Sequence, residues 1–157
     1  MQISTILTPG RMLTTQAGSK RRAFEQLSIL LAKDQPSLNE EEIYSQLLER
    51  ERLGSTGLGN GIALPHARIS ALTNTSAAFI QLEQAIDFDA IDNQPVDILF
   101  ALLVPELSQE EQTTHLQMLA SLAAMFSDPG FCMDLRQGGL TDKYRLMERW
   151  HKIKQAA

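Results

Sequence analysis

Apolar positions in the first third of the chain fall at helical spacing twice. Between Ser19 and Lys33 they occur at Ala23, Phe24, Leu27, Leu30 and Leu31, one face of a helix that Pro36 ends. A second helix starts at Asn39, with Asn39 and Glu42 at the spacing of an N-cap and its N3 partner. Ile43, Leu47 and Leu48 form its apolar face, and Gly54 follows its end. Four glycines in the eight residues from Gly54 to Gly61 exclude the interior of a regular element. Ile62-Ala63-Leu64 reads as a short strand closed by Pro65 and His66, and Ala77 to Leu82 as another. Val96 to Val104, apolar except at Asp97, predicts a central strand covered on both faces.

The helical period then returns. Ser108 and Glu111 have the spacing of a capping box, and Leu116, Leu119, Leu122, Ala123 and Phe126 form the apolar stripe of the helix that follows. Asp128-Pro129 opens a shorter helix with proline in its first turn. Thr141 caps a last helix carrying Tyr144, Leu146, Met147 and Trp150. Helices and strands interspersed in this way define an α/β chain with helices on both faces of the sheet. No repeat, linker or composition shift divides residues 1–157, so one domain is expected.

Composition narrows the functional classes. With 157 residues and 43% hydrophobic content the chain can build one sizeable core. A net charge of −5 argues against non-specific nucleic-acid binding, and the basic cluster Lys20, Arg21, Arg22 reads as a solvated helix face. A single cysteine, Cys132, cannot form an internal disulfide and points to a reducing compartment; it reads as a small buried apolar residue. The first residues lack a signal-peptide pattern, and the longest apolar run, Ile98 to Val104, is far short of a membrane span. A cytoplasmic protein without membrane insertion is the expectation.

Candidate chemistry concentrates between Arg50 and Arg68. His66 follows a glycine-rich loop and a short strand, and Pro65 restricts the backbone just before it. An imidazole is largely neutral near pH 7 and can act as a nucleophile. A phosphoryl group on it would bring roughly two negative charges that need donors. Backbone N–H groups around Gly57, the side chains of Ser55, Thr56 and Asn60, and the guanidinium of Arg50 or Arg52 could supply them. A lone histidine near glycines is more often a surface or core residue than a catalytic one. Gly57-x-Gly59-x-Gly61 is neither the dinucleotide fingerprint nor a P-loop, so no nucleotide cofactor is expected. His66, His115 and His151 have no cysteine or carboxylate at ligand spacing, so no metal is expected either.

The stretch Leu53 to His66, with Arg50 and Glu51 before it, resembles the active-site signature of the fructose/mannitol/nitrogen type (type 2) of enzyme IIA of the bacterial phosphotransferase system. A second segment, Phe88-Asp89-Ala90-Ile91-Asp92-Asn93-Gln94-Pro95-Val96-Asp97 running on to Pro105, most resembles its nitrogen-regulatory branch, and Thr114-His115-Leu116 is a third point of likeness. The resemblance covers roughly residues 3–150. Ala67 and Arg68 stand where the family commonly has Gly and Lys, and the match weakens from Lys143 onward.

This resemblance implies a single domain with a mixed sheet flanked by helices. It implies a phosphoryl acceptor at His66, a phosphate-supporting arginine at Arg50, an auxiliary histidine at His115, and a phosphohistidine-side loop around Ser55, Thr56, Gly57 and Asn60. It also implies phosphoryl delivery from an HPr-type phosphocarrier and regulation, by phosphorylation state, of partners such as potassium transporters or sensor kinases. Two alternatives stay open: a sugar-specific IIA that passes phosphoryl to a IIB cysteine, and an interaction domain whose histidine no longer accepts phosphoryl.

Overall fold

The nine residues of β6 (Val96–Val104), apolar except for Asp97, form the centre of the fold, because both faces of the strand are covered. Leu99, Ala101 and Leu103 point to one side, and Ile98, Phe100 and Leu102 to the other, as the pleat requires. The computed structural model describes residues 2–107 and 109–156, with side chains to residue 150; the capping role expected of Ser108 and the side chain of His151 lie outside them. Around β6 stand β1 (Met12–Thr15), β2 (Gly57–Gly59), β3 (Ile62–Ala63), β4 (His66–Arg68) and β5 (Ser76–Ile86). The path is β1-β5-β6-β3-β2, and β4 pairs with β6 just beyond β3. β5 is antiparallel to β6, whereas β3 and β4 are parallel to it and β1 is parallel to β5, so the sheet is mixed.

Helices α1 (Lys20–Ala32) and α2 (Glu40–Arg52) cover one face, burying Phe24, Leu27, Leu31, Ile43 and Leu47 against Ile80, Leu99 and Leu103. On the other face lie α3 (Gln109–Phe126), α4 (Pro129–Arg136) and α5 (Leu140–Ala156), which bury Phe126, Phe131, Leu135 and Met147 against Phe79, Ile98 and Phe100. The rings of Phe100 and Phe126 meet at 5.5 Å, and removing either one should cost about 3–5 kcal/mol. The cap expected at Asn39 forms, its side chain accepting from the Glu42 N–H, and Ser19 and Asp128 cap α1 and α4 by accepting from the N–H groups of Arg22 and Phe131.

Several expectations are corrected. Strand β1 is a short edge with only Met12 buried, so it carries no alternating pattern to read. The glycine segment is not wholly irregular: Gly57–Gly59 pairs antiparallel with β3 around Asn60-Gly61, whose φ of 58° and 82° suit a tight two-residue hairpin. His66 does not close β3; it opens the separate strand β4. Thr141 lies inside α5, one residue past its start, and Asp142 accepts from the Gly139 N–H instead. Leu116 is 65% exposed and stands outside the apolar stripe of α3. Lys20 does not belong to a solvated face, because its ammonium lies 2.7 Å from the Glu51 carboxylate.

Candidate functional site

The site begins where the ladder along β6 is interrupted. β3 pairs with Ile98 and Leu99, the chain steps over Leu64-Pro65, and β4 resumes with His66 opposite Leu102. Proline has no N–H for a ladder, but its carbonyl still accepts from the Leu102 N–H at 2.9 Å. Ala67 packs into the core under α1 and α2, so its neighbour His66 projects to the opposite side. There His66 Nδ1 lies 3.0 Å from the Leu64 carbonyl oxygen. A carbonyl only accepts, so Nδ1 carries the proton and Nε2 keeps its lone pair. Burial lowers the affinity of the ring for a second proton; the Leu64 carbonyl opposes this, Arg50 adds to it, and Glu51 opposes it. The result is a half-buried, neutral imidazole below its ordinary pKa, with a nucleophilic nitrogen.

That imidazole faces an open cavity of about 510 Å³, which His66 and Arg68 share with Arg50 and Leu53 from the end of α2 and with His115 and Leu116 from α3. Leu53 and Leu116 form an apolar rim, 85% and 65% exposed. Arg50, which lines the cavity, donates through Nη1 to the Gly54 carbonyl at 3.0 Å, and its guanidinium carries further N–H donors besides that one. His115 is also held below its ordinary pKa, first by burial and then by the charges of His66 and Arg68. Its Nδ1 is buried without a hydrogen-bond partner among the described residues. The fold therefore brings Arg50, His66 and His115 to one cavity.

It does not bring the expected loop donors there. The Thr56 N–H and hydroxyl both donate to the Glu51 carboxylate, the hydroxyl at 2.6 Å. Ser55 donates to the Phe88 carbonyl and accepts from the Gly57 N–H. Gly57 is packed so closely that a Cβ would lie 2.8 Å from that of Ala90. Asn60 sits at the hairpin tip, its N–H on Asp92 and its carbonyl on Arg136. Ile62 stands opposite Ile98 and His66 opposite Leu102, so about 13 Å of strand separates His66 from the start of β3. Asn60 is farther away still. In the conformation described, the donors of Ser55, Thr56, Gly57 and Asn60 serve the loop itself and do not line the cavity.

A residue not singled out from the sequence holds this arrangement. Glu51 is 9% exposed and falls on the same face of α2 as Ile43 and Leu47, four residues apart each time. That position on an apolar stripe is the signal that could have marked it. Among the described residues no group of three or more His, Cys, Asp or Glu side chains is arranged to hold a metal ion, and no helix is long and apolar enough to cross a membrane.

A mixed sheet between two helical layers, with a histidine raised on a parallel strand beside an arginine, has a counterpart among known proteins. The family model for the phosphoenolpyruvate-dependent sugar phosphotransferase system, EIIA 2, matches residues 6–148. The chain belongs to this family and is a phosphotransfer component of that system. It is 47% identical over 126 residues, 80% of each chain, to the nitrogen regulatory protein of Pseudomonas aeruginosa. It is 49% identical over 119 residues to that of Escherichia coli strain K12, covering 75% of this chain and 71% of the relative. The crystal structure of the nitrogen regulatory protein IIA-Ntr from Neisseria meningitidis superposes with a TM-score of 0.85 at 35% identity, covering 92% of this chain and 98% of that one. The IIA mannitol structure from Escherichia coli shares the fold, at 21% identity, a TM-score of 0.72 and coverage of 89% and 97%.

Proposed function

We propose that the protein is a phosphohistidine carrier of the nitrogen-regulatory branch, which accepts phosphoryl on Nε2 of His66 from an HPr-type carrier. The observation that carries this reading is the Leu64 carbonyl on Nδ1, because it leaves Nε2 as the one unprotonated nitrogen of a ring that lines the cavity. In the transfer, the Nε2 lone pair attacks phosphorus, the N–P bond of the donor breaks, and the donor ring keeps that electron pair. The proton stays on Nδ1, which keeps donating it to the Leu64 carbonyl.

The arriving group brings roughly two negative charges, and Arg50 is the cation in the cavity best built to hold them through paired N–H groups. His115 shares the cavity and serves as an auxiliary group. Leu53 and Leu116, exposed on either side, give the donor an apolar surface to dock on. Phosphorylation then changes the charge at the centre of that surface, and with it the set of regulatory partners that bind, potassium transporters or sensor kinases among them. Similarity to nitrogen regulatory proteins along most of the chain supports the branch assignment.

The test is incubation with phosphoenolpyruvate, enzyme I and an HPr-type carrier, followed by intact-mass analysis of the wild type and of His66→Ala. A single acid-labile phosphoryl adduct on the wild type alone is expected. No adduct from a fully charged carrier would contradict the reading. Rapid onward transfer to the cysteine of a fructose or mannitol IIB would replace the regulatory role with the sugar-specific one.

A further inference from the structure

We infer that Glu51 is a positioning residue for the acceptor: its buried carboxylate fixes Thr56 and Leu64 and, through the Leu64 carbonyl, the imidazole of His66, an inference that rests on the phosphoryl-acceptor reading of His66. The path is continuous. Glu51 accepts from the Thr56 N–H at 3.1 Å and from the Thr56 hydroxyl at 2.6 Å. The Thr56 carbonyl accepts from the Leu64 N–H at 2.9 Å. The Leu64 carbonyl accepts from His66 Nδ1 at 3.0 Å. Each link fixes the backbone that carries the next one, and the last selects the ring tautomer that leaves Nε2 unprotonated.

A carboxylate is an unusual choice for an apolar helix stripe. It is paired with Lys20, whose ammonium lies 2.7 Å from Oε1, donates to the Phe88 carbonyl at 3.1 Å and stands 4.4 Å from the centre of the Phe88 ring. A buried ion pair contributes little net stability over an apolar pair of similar size. What it supplies here is direction, since an aliphatic side chain on this face would accept from neither Thr56 group. Arg50 and Glu51 are adjacent in the last turn of α2, yet Arg50 lines the cavity while Glu51 lies beneath it, under the loop.

The two adjacent charges act on His66 in opposite senses: Arg50 disfavours positive charge on the ring and Glu51 favours it. A ring that keeps its Nδ1 proton while Nε2 forms a bond to phosphorus gains positive charge. Glu51 therefore both aims the ring and offsets the charge that develops on it, without touching the transferred group.

The experiment compares the wild type with Glu51→Ala and Glu51→Gln, using long-range proton–nitrogen NMR of the His66 ring and single-turnover transfer from the charged HPr-type carrier at several carrier concentrations. In the wild type the dominant ring form should carry its proton on Nδ1. Glu51→Ala should mix the two tautomers and slow transfer at saturating carrier by about tenfold or more, a loss typical of removing an outer partner that orients a histidine, with the dependence on carrier concentration unchanged. A folded Glu51→Ala protein with the wild-type ring signature and rate would overturn the inference. If Glu51→Ala does not fold, Glu51→Gln decides: His66 should titrate at lower pH than in the wild type and transfer should slow, whereas wild-type titration and rate would overturn it. If the wild type takes up no phosphoryl at all, the carrier reading fails, and the ring signature still judges whether Glu51 holds the imidazole.

Discussion

The two ends of the glycine-rich segment are held by opposite charges for different ends. At Thr56 an anion gathers donors: Glu51 binds the N–H and hydroxyl, and the order passes on to Leu64 and His66. At Asn60-Gly61 a cation gathers acceptors. Arg136, at the end of α4, donates to both oxygens of Asp97 at 2.9 and 2.8 Å and to the Asn60 carbonyl at 2.7 Å. The first end shapes an open cavity; the second locks α4 to the edge of the sheet. Residues so near in sequence serve separate purposes because hairpin β2–β3 carries one end along β6 and away from the other. Nearness to a histidine in sequence is therefore a poor guide to nearness in space across a strand.

The division can be broken most severely at its centre. His66→Ala should abolish phosphoryl uptake while changing the free energy of unfolding by less than about 1 kcal/mol, as read by intact mass and a urea melt. Residual uptake at a second histidine would contradict the assignment. Next in size, Arg50→Ala should slow single-turnover transfer about 10- to 100-fold, because a charge-assisted contact worth about 1.5–3 kcal/mol is lost. Arg50→Lys should recover only part of that rate, having the charge without the fork.

At the other end the effects should reverse. Gly61→Ala places a Cβ 2.6 Å from Arg136 Nη2 at a φ of +82°, so unfolding should become easier by about 1–2 kcal/mol in a urea melt. The transfer rate of the folded fraction should stay within about twofold of wild type. A large rate loss with intact stability would join the two ends into one functional unit.

Much of this fold is legible in the sequence. Strand β6 is visible as one apolar run, and the caps at Ser19, Asn39 and Asp128 are local signals that tertiary structure has no reason to override. The hairpin also had a local signal, Asn60-Gly61, hidden by the density of glycines around it. Glu51 is harder to see, since a glutamate in a run of charged residues reads as solvated unless the spacing from Ile43 and Leu47 is followed to its end. Where the loop donors point, and that Lys20 reaches under α2, depends on contacts between elements far apart in sequence. The apolar rim misled in the other direction: Leu116 keeps helical register with Leu119 but lies over the cavity.

Acid should give a smaller effect. His66 and His115 are both held below the ordinary histidine range, mainly by burial. The folded protein thus binds protons less readily than the unfolded chain. Their contribution to stability is fully present above pH about 6.5 and is lost as pH falls through the lowered folded values. Urea melts from pH 7.5 to 5 should show this decline, and the double variant His66→Ala, His115→Ala should flatten it. Smallest of all, Asn60→Gly keeps the left-handed backbone at φ 58° and should leave both rate and stability close to wild type, whereas a clear loss of transfer would give the Asn60 side chain a role at the cavity.

The central claim is the identity of the accepting atom, and ring-nitrogen NMR of His66 before and after phosphorylation tests it most directly. Protonated Nδ1 in the free protein and a phosphorus-coupled Nε2 in the charged one is the expected result. Phosphorus coupling to Nδ1, or a free protein with its proton on Nε2, would contradict it.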